Sequence, residues 1–318
     1  MKLRRWLSRG IVLAMVVALM VPMPVAAKSK SGGKLVKSVT EYTISDDATK
    51  WIPSSKTTYT YDKKNNPKEE KELSYDILIF DTVPLGGSVS TTTFKYKYKG
   101  KTAKSLKKMN EVGRVIESRQ YKKGKVVKVL TDYVDIEKND AGAWVDNSSH
   151  YLGAYAYSKN GLPSVASYVN TYTDNSAPDG SSESNFTFFA TQKKGVPSYM
   201  FRSYASGKRT DKDGKVTPYP ASKSGAYETY NGKGLTVQAG AYDAETGKYT
   251  ASRNVQYVMK KGKVAEAIVF SIEDGKEKPV RKYVFTYNKT SVSKARYMNM
   301  INSFVHGYDD DFAPTFWY

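Results

Sequence analysis

The stretch that most constrains the fold runs from Phe94 to Lys99, where three aromatic residues alternate with three lysines. Successive side chains of a β-strand point to opposite faces, so the aromatic side chains share one face and the lysines share the other. Gly100 ends this run, and Lys122-Lys123-Gly124 marks a later turn. The pattern predicts a hairpin with one face suited to packing and one face suited to water.

Alternating segments separated by turn signals continue along the chain. The phrases that start at Tyr121 and Met259 are near duplicates, and both end in Lys-Lys-Gly-Lys-Val. The copies of Gly-Lys-Val are unevenly spaced, which disfavours a solenoid. We therefore predict an all-β fold, an antiparallel meander of long hairpins that forms a large curved sheet or a barrel-like roll.

One segment has the apolar spacing of a helix. Residues 291–305 place Val292, Ala295, Met298 and Ile301 on one stripe, which predicts a short C-terminal helix. A last strand from Val292 to Tyr297 is the alternative. The polar stretch 173–184 is either a long loop or a boundary between two β halves.

The N-terminus has the pattern of an export signal. A basic head precedes an uncharged apolar core from Ile11 to Val21 and a small-residue site at Val25 to Ala27. We expect cleavage after Ala27, no stable membrane span afterwards, and a secreted or envelope-associated bacterial protein. The predicted organisation is a signal peptide (1–27), a flexible leader (28–33), an all-β hairpin-repeat domain (34–304) and an acidic, aromatic tail (305–318).

The residues needed for common catalytic and metal sites are scarce. The chain has no cysteine, and its two histidines, His150 and His306, are far apart in sequence. Zinc signatures and phosphate-binding loops are absent from the sequence. We predict no catalytic residues, no metal and no cofactor. A secreted glycan hydrolase that uses a carboxylate pair remains an alternative, although nothing singles out a pair among Asp132, Asp135, Glu137 and Asp140.

Basic side chains are concentrated in one part of the chain. Of 50 Lys and Arg residues, 13 lie between Lys95 and Lys128, against the two carboxylates of Glu111 and Glu117. Such a concentration predicts binding of anionic or glycan surface polymers, and no specific nucleic-acid motif accompanies it. The predicted ligand-binding residues are Lys95, Lys97, Lys99, Lys101, Lys122, Lys123, Lys125, Tyr96 and Tyr98.

Tyrosine is the most distinctive residue type, with 26 Tyr against 11 Phe. Tyrosine suits a half-wet surface, where the ring packs and the hydroxyl meets water. The tyrosines therefore either stabilise the sheet as cross-strand pairs or form a stacking platform for sugars and extended polymers.

The segment Met109 to Tyr121, MNEVGRVIESRQY, resembles one unit of the YD (Rhs-like) repeats of secreted bacterial proteins, and Tyr61-Asp62 with Asn65-Asn66 is a fainter echo. The resemblance implies β-hairpins at a bacterial surface and a non-catalytic, carbohydrate-binding role. It transfers no site residues to this chain.

The sequence favours a secreted, non-enzymatic envelope or matrix protein that binds anionic or glycan polymers through a basic, tyrosine-rich β surface. An outer-membrane-type β-barrel is a further alternative, prompted by the aromatic C-terminus. The alternation of lysines with aromatic residues argues against it, because few Leu or Val residues are left to face lipid.

Overall fold

The computed structural model describes residues 31–305, apart from 46–49, 76–86, 101, 134–135, 139–143, 147–148, 159–162, 173–179, 194–195, 212 and 223. Within these residues the strands are β1 Ser31–Ile44, β2 Trp51–Tyr61, β3 Pro67–Tyr75, β4 Gly87–Lys99, β5 Thr102–Met109, β6 Val115–Lys122, β7 Lys125–Tyr133, β8 Ile136–Lys138, β9 Trp144–Asp146, β10 Ser149–Tyr157, β11 Pro163–Tyr172, β12 Gly180–Lys193, β13 Val196–Thr210, β14 Val216–Tyr219, β15 Gly225–Tyr230, β16 Thr236–Asp243, β17 Lys248–Lys260, β18 Lys263–Glu273 and β19 Lys276–Ser293. One helix, α1, covers Lys294–Val305.

Sixteen of these strands form a closed antiparallel barrel that follows the order of the chain. The ring closes where β1 pairs with β19, with Val39 opposite Phe285. Strand β7 pairs directly with β10, so the small β8–β9 hairpin is an insertion outside the ring. The predicted all-β meander and barrel-like roll are confirmed, and the sheet is closed rather than open.

The turns of this meander lie alternately at the two ends of the barrel. We call the end where β19 passes into α1 the helix end, and the opposite end the far end. The turns β2–β3, β4–β5, β6–β7, β15–β16 and β17–β18 lie at the helix end. The turns β5–β6, β13–β14, β16–β17 and β18–β19 lie at the far end.

Helix α1 folds back against the inner wall at the helix end. Ser293 caps it, since its Oγ accepts a hydrogen bond from the backbone N–H of Arg296 at 3.3 Å. The guanidinium of Arg296 in turn donates to the carbonyl oxygen of Asn65 in the β2–β3 turn. The predicted C-terminal helix is confirmed, and the strand proposed as its alternative continues only to Ser293.

The apolar stripe of α1 explains why the helix lies inside the ring. Tyr297, Met298, Ile301 and Val305 are buried against inward side chains of β1 and β17–β19. The Tyr297 hydroxyl also accepts a hydrogen bond from the backbone N–H of Val264 at 2.7 Å. A second buried group, rich in tyrosine, lines the opposite inner wall, and its members are Leu106, Tyr121, Val126, Val129, Tyr155, Ala166, Tyr168, Phe188, Met200 and Tyr230.

The near-duplicate phrases of the sequence form the same kind of turn. Lys123 and Gly124 have positive φ angles of 52° and 78°, and Lys261 and Gly262 have 52° and 75°. Two successive positive φ angles are the signature of the type I′ hairpin, whose twist matches that of the flanking strands. Both turns lie at the helix end, so the repeated phrase gives that end two similar lysine-rich corners.

The resemblance to YD repeats is wrong. Residues 109–121 comprise the last residue of β5, an exposed turn and most of β6. These are two neighbouring strands of one ring that closes between β1 and β19, and not a unit of a repeat array.

Three predicted boundaries can be compared with the strands. Strand β1 begins at Ser31, inside the predicted leader. Residues 180–184 of the polar stretch belong to β12, which pairs with β11. The predicted signal peptide and residues 306–318 of the predicted tail lie outside the described residues.

Candidate functional site

The structure separates the predicted strand residues into two surfaces. Lys95, Lys97 and Lys99 are exposed on the outer wall of β4. Tyr96 and Tyr98 point into the barrel, where their rings stack with centroids 5.8 Å apart. The predicted alternation is therefore correct, but one ligand cannot contact both sets at once, since the sheet lies between them.

The predicted turn lysines lie at the helix end. Lys122 and Lys123 are exposed, whereas Lys125 is half-buried with its ammonium 4.8 Å from the centroid of the Tyr157 ring. Burial lowers the pKa of the Lys125 ammonium. Lys99 reaches the same end from β4, and Lys101 lies outside the described residues.

The two ends of the barrel differ sharply in charge. The described turns of the helix end carry ten lysines against the single carboxylate of Asp62, namely Lys63, Lys64, Lys99, Lys122, Lys123, Lys125, Lys233, Lys260, Lys261 and Lys263. The described residues at the far end, including Lys50 just before β2, carry seven carboxylates against five basic side chains. The carboxylates are Glu111, Asp211, Asp213, Asp243, Glu245, Glu273 and Asp274, and the basic residues are Lys50, Arg114, Lys215, Lys248 and Lys276. The helix end is therefore a concentrated positive surface, and the far end is not.

Strand register places several of these lysines opposite one another. Lys122 pairs with Lys125 across the β6–β7 turn, and Lys260 pairs with Lys263 across the β17–β18 turn. On the outer wall, Lys95 lies opposite Lys107 of β5. Like charges that face each other across a strand pair destabilise the sheet, so these positions concentrate positive charge at some cost in stability.

A hydrogen-bonded network fixes the β2–β3 corner of the helix end. The Lys64 ammonium lies 3.5 Å from the centroid of the Tyr98 ring and donates to the carbonyl oxygen of Gly100 at 2.7 Å. The Tyr98 hydroxyl donates to the Asp62 carboxylate. Burial and this hydrogen bond raise the pKa of Tyr98 to about 12, so the hydroxyl keeps its proton at neutral pH.

The lumen contains a cavity that sequence reasoning did not identify. Its volume is about 1070 Å³, and its walls come from β2–β7, β10 and β11, with α1 as its floor. Aromatic side chains dominate the wall, namely Tyr59, Tyr61, Phe94, Tyr96, Tyr121, Tyr151, Tyr155, Tyr168 and Phe304. Alternation shows which side chains share a face, but it does not show that this face encloses a space.

Six charged side chains line this cavity: four of them, from β3, β5 and β6, interrupt its aromatic wall, and the other two, Lys64 and Arg296, lie at the helix end. Lys108 of β5 lies opposite Glu117 of β6, and the Nε of Arg119 is 2.5 Å from Glu117 Oε1. Glu70 of β3 completes the group. Burial raises the pKa of the Glu70 carboxyl, and the charge of Lys108 offsets part of that effect.

The carboxylates considered for glycan hydrolysis give no paired arrangement among the described side chains. Asp132 lies on the outer wall beside His150, whose Nδ1 is 2.7 Å from the Asp132 carboxylate. The side chains of Asp135, Glu137 and Asp140 lie outside the described ones. The described residues also contain no cluster of His, Asp and Glu suited to a metal ion.

Solved structures of porin-like proteins are similar to this chain. A porin-like protein from Bacteroides uniformis is 12% identical with a TM-score of 0.38, over 80% of this chain and 99% of that one. A porin-like protein from Bacteroides vulgatus is 10% identical with a TM-score of 0.43, over 81% of this chain and 100% of that one. No protein-family model and no curated protein matches the chain.

Sequence identity and TM-score are low in both comparisons, so the strand pairing alone defines the architecture of this chain. The pairing of β1 with β19 closes the antiparallel ring, so the architecture is a β-barrel and not an open sheet. Among the described residues, no helix has the length and apolar character required to cross a bilayer.

Proposed function

We propose that the protein is a cell-envelope β-barrel that attaches to an anionic polymer through its helix end. The observation that carries the proposal is the segregation of charge, with ten lysines and one carboxylate in the described helix-end turns. The fitting partners are teichoic acid, acidic polysaccharide and extracellular DNA, which share a regular series of negative charges.

The arrangement of the lysines favours a polymer over a single small anion. The charged corners belong to turns spread around the ring, from β2–β3 through β6–β7 to β17–β18. A polymer that crosses the helix end meets several of these corners in succession, and each contact releases counterions. The opposed pairs Lys122–Lys125 and Lys260–Lys263 lose their mutual repulsion when a negative group lies between them.

The outer-wall lysines extend this surface along the barrel. Lys95, Lys97 and Lys99 form an exposed row that leads from the middle of β4 to the helix end. Because their side chains point away from the lumen, changing all three to Gln is expected to weaken polymer binding and to leave the fold intact.

Binding of polyphosphate by the mature protein tests the proposal. The affinity is expected to fall at least about tenfold between about 50 mM and 200 mM salt, because counterion release drives the association. Polyphosphate that fails to bind at the lower salt concentration contradicts the proposal, and so does an affinity that does not change with salt.

A barrel that spans a bilayer is a second candidate. A closed ring leaves no unpaired strand edge, which is a requirement for strands in lipid. Exposed apolar side chains on the outer wall also favour it, including Val89 at 66% and Phe189 at 61% exposure. The lysines at positions 95, 97 and 107 oppose it, since a lysine that faces lipid near the bilayer midplane costs about 2–4 kcal/mol.

Solubility without detergent separates the two candidates. The envelope-attachment proposal expects a monodisperse protein in detergent-free buffer. A spanning barrel is expected to aggregate there and to become monodisperse when detergent is added.

A further inference from the structure

We propose that the lumen is a separate binding site for a small, uncharged, polyhydroxylated ligand of the size of a short oligosaccharide. Most of this site is distinct from the helix-end surface, because its aromatic rings and the Lys108–Glu117 group lie on the inner wall; of the ten helix-end lysines, Lys64 alone also lines it. The inference therefore goes beyond the polymer-binding function and does not depend on it.

The aromatic wall supplies flat surfaces for such a ligand. The rings of Tyr151 and Tyr168 stack with centroids 5.3 Å apart, and Tyr155 meets Tyr168 edge-on at 5.8 Å. Near the floor, Phe304 of α1 meets Tyr59 edge-on at 6.3 Å. These contacts hold the rings in fixed orientations, so the wall loses little conformational freedom when a ligand stacks on it.

The charged side chains determine the chemistry of the ligand. Within the aromatic wall, Lys108 and Arg119 carry two positive charges, and Glu70 and Glu117 carry two negative charges when ionised, so this group of four has no net charge. The other two charged lining residues are engaged at the helix end, where Lys64 donates to the carbonyl oxygen of Gly100 and Arg296 donates to that of Asn65. An ionic ligand gains no net electrostatic attraction from such a set. A hydrocarbon ligand leaves polar groups covered without new hydrogen bonds, which is unfavourable. Hydroxyl groups both donate and accept, so a sugar matches the carboxylates and the cations equally well.

The size and closure of the cavity agree with this ligand class. Its volume of about 1070 Å³ is slightly above the range of roughly 300–1,000 Å³ that is usual for small-molecule sites. Met300 and Phe304 of α1 form part of its floor, and Lys64, Asn66 and Gly124 of the helix-end turns also line it.

Lys108 and Lys107 provide a matched pair for the test. They are adjacent on β5, but Lys108 lines the cavity, whereas Lys107 is exposed on the outer wall. The variants Lys108→Gln and Lys107→Gln therefore remove the same charge from opposite faces of one strand. Tyr151→Phe is a second cavity variant, because it removes one hydroxyl and keeps the ring.

The experiment measures binding of maltotriose, cellotriose and chitotriose to the mature protein by saturation-transfer NMR and titration calorimetry. We expect at least one of them to bind, with an affinity that falls about tenfold in Lys108→Gln, falls less in Tyr151→Phe, and is unchanged in Lys107→Gln. Circular dichroism checks that each variant is folded.

The inference is contradicted if none of the three sugars binds, or if Lys107→Gln and Lys108→Gln lose the same amount of sugar affinity. It is also contradicted if lauric acid displaces the bound sugar and binds more tightly than the sugar does. Polyphosphate binding by Lys108→Gln should stay close to that of the wild type. This control distinguishes failure of the lumen site from failure of the helix-end proposal.

Discussion

The side-chain amide of Asn302 donates a hydrogen bond over 3.0 Å to the carbonyl oxygen of Gly234, which joins α1 to the β15–β16 turn. The amide oxygen of Asn302 accepts a second hydrogen bond from the backbone N–H of Thr236 at 3.1 Å. Both contacts are buried, so one residue of the helix satisfies two backbone groups of the ring. We infer that this contact fixes the C-terminal half of α1 at the helix end.

Asn302→Leu is expected to destabilise the protein by about 1–3 kcal/mol for each backbone group left without its partner. Urea unfolding followed by circular dichroism measures the change. Ser303→Ala is the matched control, because Ser303 is exposed and its hydroxyl bonds only within the helix, to Met300. Equal effects of the two changes show that Asn302 does not hold the turn.

A buried ion pair on the inner wall should be sensitive to loss of one partner. Glu228 is 1% exposed, lies 3.8 Å from Arg253 and accepts a hydrogen bond from the Tyr230 hydroxyl at 2.7 Å. Glu228→Ala is expected to cost about 3–5 kcal/mol, since it removes a buried carboxylate from the partly buried guanidinium of Arg253 and from the Tyr230 hydroxyl.

The exposed pair of Glu273 with Lys278, 2.7 Å apart, serves as the control for Glu228→Ala. Glu273→Ala is expected to cost less than about 1 kcal/mol, because water screens that pair. A loss at Glu228 as small as the loss at Glu273, measured by chemical unfolding, contradicts the placement of Glu228 in the inner wall.

Local structure could be predicted from particular residues. The alternation from Phe94 to Lys99 indicates two faces, and the structure has lysines on one and aromatic rings on the other. The phrase Lys-Lys-Gly-Lys indicates a turn, and Lys123 with Gly124 adopts the type I′ geometry. These features follow from interactions between residues that are close in sequence.

Ring closure could not be predicted in the same way. An open sheet and a barrel have the same alternation and the same turns, and they differ only in whether the first and last strands pair. Val39 and Phe285 meet across that seam, although nearly the whole ring separates them along the chain. The lumen depends on this closure, so its cavity and the Lys108–Glu117 pair could not be predicted, although Tyr96 of its wall was among the predicted binding residues.

A cross-link across the seam tests closure directly. Thr40 and Val284 lie opposite each other on β1 and β19, and the chain has no cysteine of its own. The double variant Thr40→Cys, Val284→Cys is expected to form an intramolecular disulfide under mild oxidation, visible as a mobility shift on non-reducing gels.

The control places the second cysteine at Val89 instead of Val284, because Val89 belongs to β4, a strand that is not adjacent to β1. The double variant Thr40→Cys, Val89→Cys should form no intramolecular disulfide. An uncross-linked Thr40–Val284 pair contradicts the closed ring.

Ionisation of the Glu70 carboxyl should contribute to the pH dependence of the free energy of unfolding. Burial raises the pKa of this carboxyl above its ordinary value of 4.5, so the folded state binds the proton more tightly than the unfolded chain does. The free energy of unfolding should therefore fall as the pH rises from 4.5 through the raised pKa.

Glu70→Gln is expected to reduce this fall and to stabilise the protein at neutral pH, while burial of Glu41, whose pKa is also raised, maintains a part of it. Thermal melts over this pH range measure both effects. Glu69→Gln is the control, because the neighbouring Glu69 pairs with Lys71 at 3.8 Å on the outer face. A pH profile that is unchanged in Glu70→Gln shows that this carboxyl is not buried in the lumen.

The most direct test of polymer attachment compares the two ends of the barrel at constant net charge. One variant changes the helix-end residues Lys122, Lys123, Lys260 and Lys261 to Gln, and the other changes the far-end residues Lys50, Lys215, Lys248 and Lys276 to Gln. Both lose four positive charges, so they differ only in where the charges were. At about 50 mM salt, polyphosphate affinity is expected to fall about tenfold or more in the helix-end variant and to change little in the far-end variant. Equal losses in the two variants, or undiminished binding by the helix-end variant, contradict attachment through the helix end.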